Sequence, residues 1–177
     1  MTSTTNDTQP DAMKRILTLI IALMLAPVFA WAATGQTHPN IVYILTDDLG
    51  YGDVHCLNPE RGKFATPNID RLAAEGMTFT DAHSSSSVCT PTRYSVLTGR
   101  YAWRTHLQRG VLNGNSAPLI APGRLTVGQL LQQHGYTAAA IGKWHLGMEF
   151  DKKDFSKPIT DGPLQHGFDY YFGISAS

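Results

Sequence analysis

The chain of 177 residues carries 14 Lys and Arg against 14 Asp and Glu, so its formal net charge is zero. This balance argues against a basic nucleic-acid platform and against an acidic tail. A hydrophobic content of 42% is ordinary for a globular chain, and the length is sufficient for one core of domain size.

The N-terminal region has the pattern of a secretory signal. A positive start at Lys14 and Arg15 precedes a mostly apolar run, residues 16–26, and small residues around Ala32. The apolar run is shorter than a comfortable membrane span, although an uncleaved anchor is the alternative. We expect residues 1–33 to be an N-terminal extension and signal peptide that signal peptidase cleaves near Ala32. The mature protein is then periplasmic or secreted, with no stable membrane span.

The rest of the chain, residues 34–177, alternates strand and helix patterns. Continuous or alternating apolar runs predict strands, and segments that begin near Pro or Thr and end at Gly predict helices. The predicted strands are residues 41–45, 77–82 and 137–142, and the predicted helices are residues 68–75, 91–99 and 126–134. This order predicts an α/β fold with a mainly parallel sheet flanked by helices. In such folds ligands bind at the carboxyl ends of the strands.

The first group with chemical potential follows the first predicted strand. Asp47 and Asp48 are adjacent carboxylates, and ionising both is costly without a cation. Gly50 and Gly52 permit a turn that could bring both to one ion, and oxygen ligands favour Ca²⁺ or Mg²⁺. The alternative is an exposed acidic loop or a helix cap.

The second group is Cys89 and Arg93 near the start of a predicted helix. A helix N-terminus favours anions and lowers the pKa of a thiol. Arg93 lies four residues on, so it shares a helix face with Cys89. The alternatives are a buried structural cysteine beside a surface arginine, or a disulfide between Cys89 and Cys56, the other cysteine.

The third group, Lys143 and His145, follows the last predicted strand. In an extended segment the two side chains point the same way, with Trp144 opposite. Lys143 offers a fixed positive charge, and His145 can move protons near neutral pH. The alternative is an exposed lysine and a satisfied core histidine.

Together the three groups resemble the sulfatase family of the alkaline-phosphatase superfamily. The motifs are Asp-Asp-Leu-Gly-Tyr-Gly-Asp, then Cys-x-Pro-x-Arg-x-x-x-Leu-Thr-Gly-Arg, then Gly-Lys-Trp-His-Leu-Gly, over residues 40–173. The resemblance implies an arylsulfatase-like sulfuric ester hydrolase. Its nucleophile is formylglycine, made from Cys89 by a formylglycine-generating enzyme that reads Pro91 and Arg93. Thr92 stands where the family usually has Ser.

The resemblance also implies roles for the site residues. Asp47 and Asp48 bind Ca²⁺, with Mg²⁺ less favoured, and residue 89 is a further ligand. Of the remaining catalytic residues, Arg93 steadies the nucleophile, Lys143 holds a sulfate oxygen and His145 is the base acting on the formylglycine hydrate.

The family also places metal and leaving-group residues further downstream than this sequence reaches. We therefore expect residues 34–177 to be the truncated N-terminal portion of a catalytic domain. Alone, it is expected to bind metal weakly, turn over poorly and expose sheet edge and apolar surface. The competing hypotheses are a phosphonate or phosphate monoester hydrolase of the same superfamily, and a non-catalytic truncated binding protein in which Cys89 stays a thiol.

Overall fold

A computed structural model describes residues 38–176, and the expected signal peptide lies outside them. The chain divides into two units, Met1–Leu45 and Thr46–Ser177. In the first unit the described residues 38–45 have no regular secondary structure, and their side chains are exposed. Among residues 38–176, every helix is too short or too polar to cross a bilayer.

Two predicted strands are not formed. Residues 41–45 are exposed and unpaired among the described residues, and residues 77–82 have no strand either. An apolar run becomes a strand only when a neighbouring strand satisfies its backbone N–H and C=O groups. The apolar composition of these two segments predicted strands. The described part of the chain contains no neighbouring strand that pairs with either segment.

The predicted helices are confirmed with small changes of boundary. Helix α1 is Pro67–Glu75, with the proline at its first position. Helix α2 is Cys89–Thr98 and ends at Gly99, whose left-handed backbone (φ 63) terminates the helix at little cost for a residue without a side chain. Helix α3 is Val127–Gln133.

Helix α3 begins at a capping box. The Thr126 hydroxyl accepts the backbone N–H of Gln129 at 3.2 Å, and the Gln129 side chain accepts the N–H of Thr126 at 3.1 Å. The same Thr126 hydroxyl donates to the carbonyl of His166 at 2.6 Å. One buried side chain therefore starts a helix and attaches it to a distant turn.

The sheet of the described residues has two parallel strands. Strand β1 is Ala139–Lys143 and β2 is Tyr170–Ile174, with Ile141 opposite Phe172. Strand β1 corresponds to the predicted strand at 137–142, shifted by one to two residues, whereas β2 was not predicted. The parallel α/β arrangement itself is confirmed.

The core forms where α2, a short turn after it and the segment following β1 meet. Tyr94 of α2 is 1% exposed, and Leu146 after β1 is also 1% exposed. The indole N–H of Trp144 donates to the Gly147 carbonyl at 2.9 Å, which satisfies the one polar atom of that buried ring. The buried cluster consists of Tyr94, Ala102, Leu119, Ile120, Trp144, Leu146 and Met148. It fixes the start of α2 relative to the end of β1, and the candidate site lies there.

Candidate functional site

Cys89 is the first residue of α2, which begins two residues before the predicted start near Pro91. The residue before it, Val88, has an extended backbone and makes no side-chain cap. Pro91 has no N–H, and within residues 38–176 the backbone N–H groups of Cys89 and Thr90 have no acceptor, so they favour an anion at this position. Cys89 is half-buried and is not in a disulfide, so the expected alternative of a bridge to Cys56 is not formed.

Arg93 connects three parts of the site. Its Nη1 donates to the backbone carbonyl of Lys143 at 2.6 Å, and its Nη2 lies 3.7 Å from Oδ1 of Asp47. The side chain is only 13% exposed. A charge held this far from solvent interacts more strongly with its neighbours than a surface charge does.

Lys143, the last residue of β1, is the centre of the charge cluster. Its Nζ donates to Oδ2 of Asp47 at 2.7 Å. Burial alone lowers the pKa of Lys143, but the hydrogen bond to Asp47 and the negative charge that Cys89 can carry outweigh burial and leave the pKa raised. Conversely, the hydrogen bond from Lys143 is the main reason that the pKa of Asp47 is lowered.

A turn was expected at Gly50 and Gly52, but the structure places it at Asp48. Its backbone is left-handed (φ 59), a conformation that Asp tolerates better than most residues. Gly50 instead precedes a short 3-10 helix, Tyr51–Asp53, and has an ordinary extended backbone. The side chain of Asp48 is exposed, and among residues 38–176 it makes no hydrogen bond.

The described residues supply only part of a metal site. No group of three His, Cys, Asp or Glu side chains within residues 38–176 is arranged to hold a metal ion. The two oxygens of Asp47 face Lys143 and Arg93, so these cations neutralise the carboxylate. Carboxylate oxygens are the right donors for Ca²⁺, but Ca²⁺ takes about six to eight oxygen ligands, far more than Asp47 and Asp48 offer.

His145 is buried and held by three polar contacts. Its N–H donates to the carbonyl of Ser175 at 3.0 Å, and its own carbonyl accepts the hydroxyl of Thr90 at 2.9 Å. The ring Nε2 lies 2.6 Å from the Leu112 carbonyl, which can only accept, so Nε2 carries a proton. Nδ1 is buried and has no hydrogen-bond partner among the described residues. It is therefore the nitrogen left to take up a proton.

The extended geometry expected for residues 143–145 ends at Lys143. His145 has a left-handed backbone (φ 56), so the alternation of side chains along a strand does not apply to it. Trp144 is buried, as expected, and stacks on His166 at 6.1 Å between ring centroids. Lys143 contacts Asp47, whereas the His145 ring contacts Leu112.

Two contributors to the site were missed from the sequence. Thr90 is fully buried, and besides donating to His145 its hydroxyl accepts the N–H of Leu112 at 3.2 Å. These two hydrogen bonds hold the backbone of Leu112 and His145 against the start of α2. Leu112 acts through its carbonyl, which every residue has, so no side-chain pattern could have indicated it. Thr90 could have been suspected from its position between Cys89 and Pro91.

Comparisons with known proteins identify the family. Residues 39–177 match the family model described as Sulfatase. The chain is 43% identical over 140 residues to an N-acetylgalactosamine-6-O-sulfatase of Bacteroides thetaiotaomicron, a match covering 78% of this chain and 27% of that protein. It is 39% identical over 155 residues to human steryl-sulfatase, covering 83% and 26% of the two chains.

Solved structures give the same result. A structure from work on glycosaminoglycan metabolism by Bacteroides thetaiotaomicron superposes with a TM-score of 0.72 at 43% identity, covering 78% of this chain and 28% of that one. The chain belongs to the sulfatase family, and its fold is that of its alkaline-phosphatase-like structural neighbours. It spans about a quarter of the length of the curated relatives, matching their N-terminal part.

Proposed function

We propose that this chain is the part of a sulfate monoester hydrolase that carries the nucleophile and two of the cations that receive the sulfate group. One observation carries the proposal: Asp47, Arg93 and Lys143 converge from positions up to 96 residues apart, beside Cys89 at the start of α2. The names of the matched relatives, which are sulfatases, support the same assignment.

The charges of the cluster suit an anionic substrate. A sulfate monoester is negatively charged, so it repels an electron-rich nucleophile unless cations lie beside both. Lys143 and Arg93 supply two positive charges, and the N-terminus of α2 adds a partial one. Because the Lys143 side chain is only 10% exposed, little water competes for its charge.

Cys89 is the residue from which a formylglycine-generating enzyme would make the nucleophile. When hydrated, formylglycine supplies two hydroxyls on one carbon, one to displace the alcohol from sulfur and one to expel the sulfate. The chain's own contribution is to hold position 89 at a helix N-terminus beside Lys143, where negative charge is favoured. The half-burial of Cys89 limits its exposure to bulk water while leaving it accessible.

His145 is proposed as the base. With Nε2 protonated and bound to Leu112, the lone pair of Nδ1 is the one that can accept the hydroxyl proton. The hydrogen bond from Thr90 to the His145 carbonyl keeps the histidine beside the residue that follows position 89. Fixing the tautomer and position of a base is a general requirement of proton transfer.

Ca²⁺ is proposed as the metal, with Asp47, Asp48 and residue 89 as ligands. An ion held there would supply positive charge at the Asp47 carboxylate, and Lys143 and Arg93 would add theirs to the binding of the sulfate group. The remaining ligands have to come from outside the described residues. No step of the chemistry above depends on the ion.

Export is part of the proposal. The pattern of residues 13–33 supports cleavage by signal peptidase near Ala32 and a periplasmic or secreted location, where sulfate esters from outside the cell are met.

Turnover by the full-length protein tests the proposal. We expect hydrolysis of an aryl sulfate at a much higher kcat/KM than of the matching aryl phosphonate. Cys89→Ala should lower turnover by several orders of magnitude, as loss of a nucleophile does. Cys56→Ala, which removes the other cysteine at an exposed position, should leave turnover unchanged. Preference for the phosphonate would instead support the related phosphonate hydrolase, and unaltered turnover by Cys89→Ala would exclude Cys89 as the nucleophile.

A further inference from the structure

His166 is a buried histidine that the proposed function does not use. It ends the short 3-10 helix Pro163–His166 and is 7% exposed. Its backbone is fixed, because its carbonyl accepts the hydroxyl of Thr126 at 2.6 Å. Its ring Nδ1 is buried and has no hydrogen-bond partner within residues 38–176. A buried polar atom without a partner destabilises a fold, so we expect the ring to have a role that offsets this cost.

Asp161 brings a carboxylate to the same ring. Its Oδ1 lies 2.8 Å from Nε2 of His166, and the two side chains are 30% and 9% exposed. The two atoms are not aligned as a hydrogen bond, and Oδ1 has no other hydrogen-bond partner in the described part of the chain. The contact is therefore electrostatic, and the low exposure of the histidine strengthens it.

The His166 ring lies against the indole of Trp144. The two rings are stacked, with centroids 6.1 Å apart and planes inclined by 17°. Phe168 meets the same indole edge-on, at 6.3 Å between centroids. The indole N–H donates to the Gly147 carbonyl at 2.9 Å, and Trp144 is only 5% exposed. His166 therefore forms one wall of the space that fixes the orientation of this tryptophan.

Asp161 is also joined to the segment that follows His145. The backbone N–H of Glu149 donates to the Asp161 carbonyl at 2.8 Å, and the two residues form an isolated antiparallel bridge. The segment that carries His145 is thus held at Trp144, one residue before it, and at Glu149, four residues after it. Both attachments lead to the contact between Asp161 and His166.

His145 depends on this support because of its backbone. Its conformation is left-handed (φ 56), which is unfavourable for a residue with a side chain and persists only where the surroundings impose it. The buried side chains of Trp144 and Leu146 lie on either side of it in the chain. Lys143 is instead held by the pairing of β1 with β2 and by the hydrogen bond from Arg93 to its carbonyl. A change at Trp144 should therefore disturb His145 before it disturbs Lys143.

We infer that His166 and Asp161 are positioning residues, whose contact fixes the Trp144 ring and thereby keeps the His145 ring with its Nε2 on the Leu112 carbonyl. They act through Trp144 and do not touch the substrate. The use of His145 as a base rests on the proposed function, whereas the orientation of its ring does not.

Histidine NMR of the full-length protein tests the orientation directly. With isotope-labelled histidine, at a pH where the ring is uncharged, His145 should show a single tautomer with its proton on Nε2. His145→Asn assigns its signals. Asp161→Asn removes the charge beside His166 with little change of shape, and His166→Phe keeps a ring against Trp144 but removes the polar contact. We expect both variants to give averaged tautomer signals for His145, and kcat to fall about tenfold with KM nearly unchanged.

Matched controls lie away from this contact. Asp154→Asn removes a carboxylate that bonds to Ser156 within its own loop, and His134→Phe replaces an exposed histidine at the end of α3. Neither should change the His145 signals or kcat. Urea unfolding establishes that each variant is folded, and Asp161→Asn alone decides if His166→Phe is not.

A single His145 tautomer in the folded test variants, or equal changes in the controls, would overturn the inference. Unchanged kcat in the test variants would also overturn it, provided that His145→Asn abolishes turnover. The two readouts separate the inference from the proposed function. If His145→Asn leaves sulfate release unchanged while the His145 ring still depends on His166 and Asp161, the proposed base is wrong and the positioning contact stands. Loss of turnover in His145→Asn, with a ring indifferent to both test variants, would do the reverse.

Discussion

The contact between Asp47 and Lys143 brings two charges together at 2.7 Å with the lysine side chain almost buried. Each shifts the pKa of the other in the direction that favours the charged form. Arg93 adds a second cation on the other carboxylate oxygen. The carboxylate is thus balanced by protein charges, and an incoming anion can compete for the same two cations.

Because of the contact between Asp47 and Lys143, we expect the free energy of unfolding to depend on pH in the acidic range. The folded-state pKa of Asp47 is below its ordinary 3.8, so its contribution is fully present above that value and is lost as pH falls through the lowered pKa. Lys143→Met removes the main cause of the shift. Urea unfolding should show a destabilisation near neutral pH that shrinks as the pH falls below 3.8.

The exposed residue Lys63 offers a matched control, since Lys63→Met removes a charge of the same kind. Its effect should be small and nearly independent of pH in the same range. A pH dependence equal in the two variants would mean that the Asp47 contact contributes nothing.

We expect the Thr90 hydroxyl to contribute both to the stability of the fold and to turnover. Thr90→Val keeps the shape but removes the hydroxyl that binds His145 and Leu112, leaving buried backbone groups without partners. We expect a loss of about 1–3 kcal/mol in unfolding free energy. In the full-length protein kcat should also fall, because His145, the proposed base, is no longer held.

Thr98→Val is the control on the same helix, since its hydroxyl donates only to the Tyr94 carbonyl one turn earlier. Its effect on kcat should be negligible. If both variants left kcat untouched, Thr90 would be structural only.

At the scale of elements, α3 depends on Thr126. Thr126→Ala removes both the capping bond to Gln129 and the buried bond to His166. The expected cost is about 1–2 kcal/mol in chemical denaturation. Thr78→Ala, at an exposed position outside any helix or strand, should cost far less, and equal costs would contradict the capping role.

The helices were predictable from sequence because their boundaries are encoded locally. Pro67, Thr126 and Gly99 act within one turn of their own position, whatever the rest of the chain does. Strands need distant partners, so residues 41–45 were predicted wrongly, and β2, with a glycine at position 173, was overlooked.

The sequence indicated which candidate residues lie near one another, but not the contacts they make. Motif spacing indicated Cys89 and Lys143, and the structure brings both into one cluster. The pairing of Lys143 with Asp47 spans 96 positions and depends on the tertiary fold. The backbone contacts of His145 could not be foreseen, because its left-handed conformation departs from the strand pattern.

At the scale of the whole molecule, the sheet exposes apolar surface. Ile141 and Phe172 face each other across the two strands and are 73% and 69% exposed. This agrees with the exposed apolar surface expected of residues 34–177. Paired apolar side chains beside open strand edges favour association between copies.

We therefore predict that the isolated 177-residue chain self-associates as its concentration rises. The double variant Ile141→Thr with Phe172→Thr should shift sedimentation toward monomer. Phe155→Thr, which alters an exposed phenylalanine outside the sheet, should not. Association that survives the double variant would exclude the sheet face as its cause.

The central claim is that residue 89 becomes the nucleophile of a sulfate ester hydrolase. The most direct test is mass spectrometry of the peptide containing residue 89, from the full-length protein isolated from its native source. We predict that the CH₂–SH group is replaced by an aldehyde, and that the modified fraction tracks sulfate release between preparations. An unmodified thiol at residue 89 in protein that releases sulfate would contradict the account.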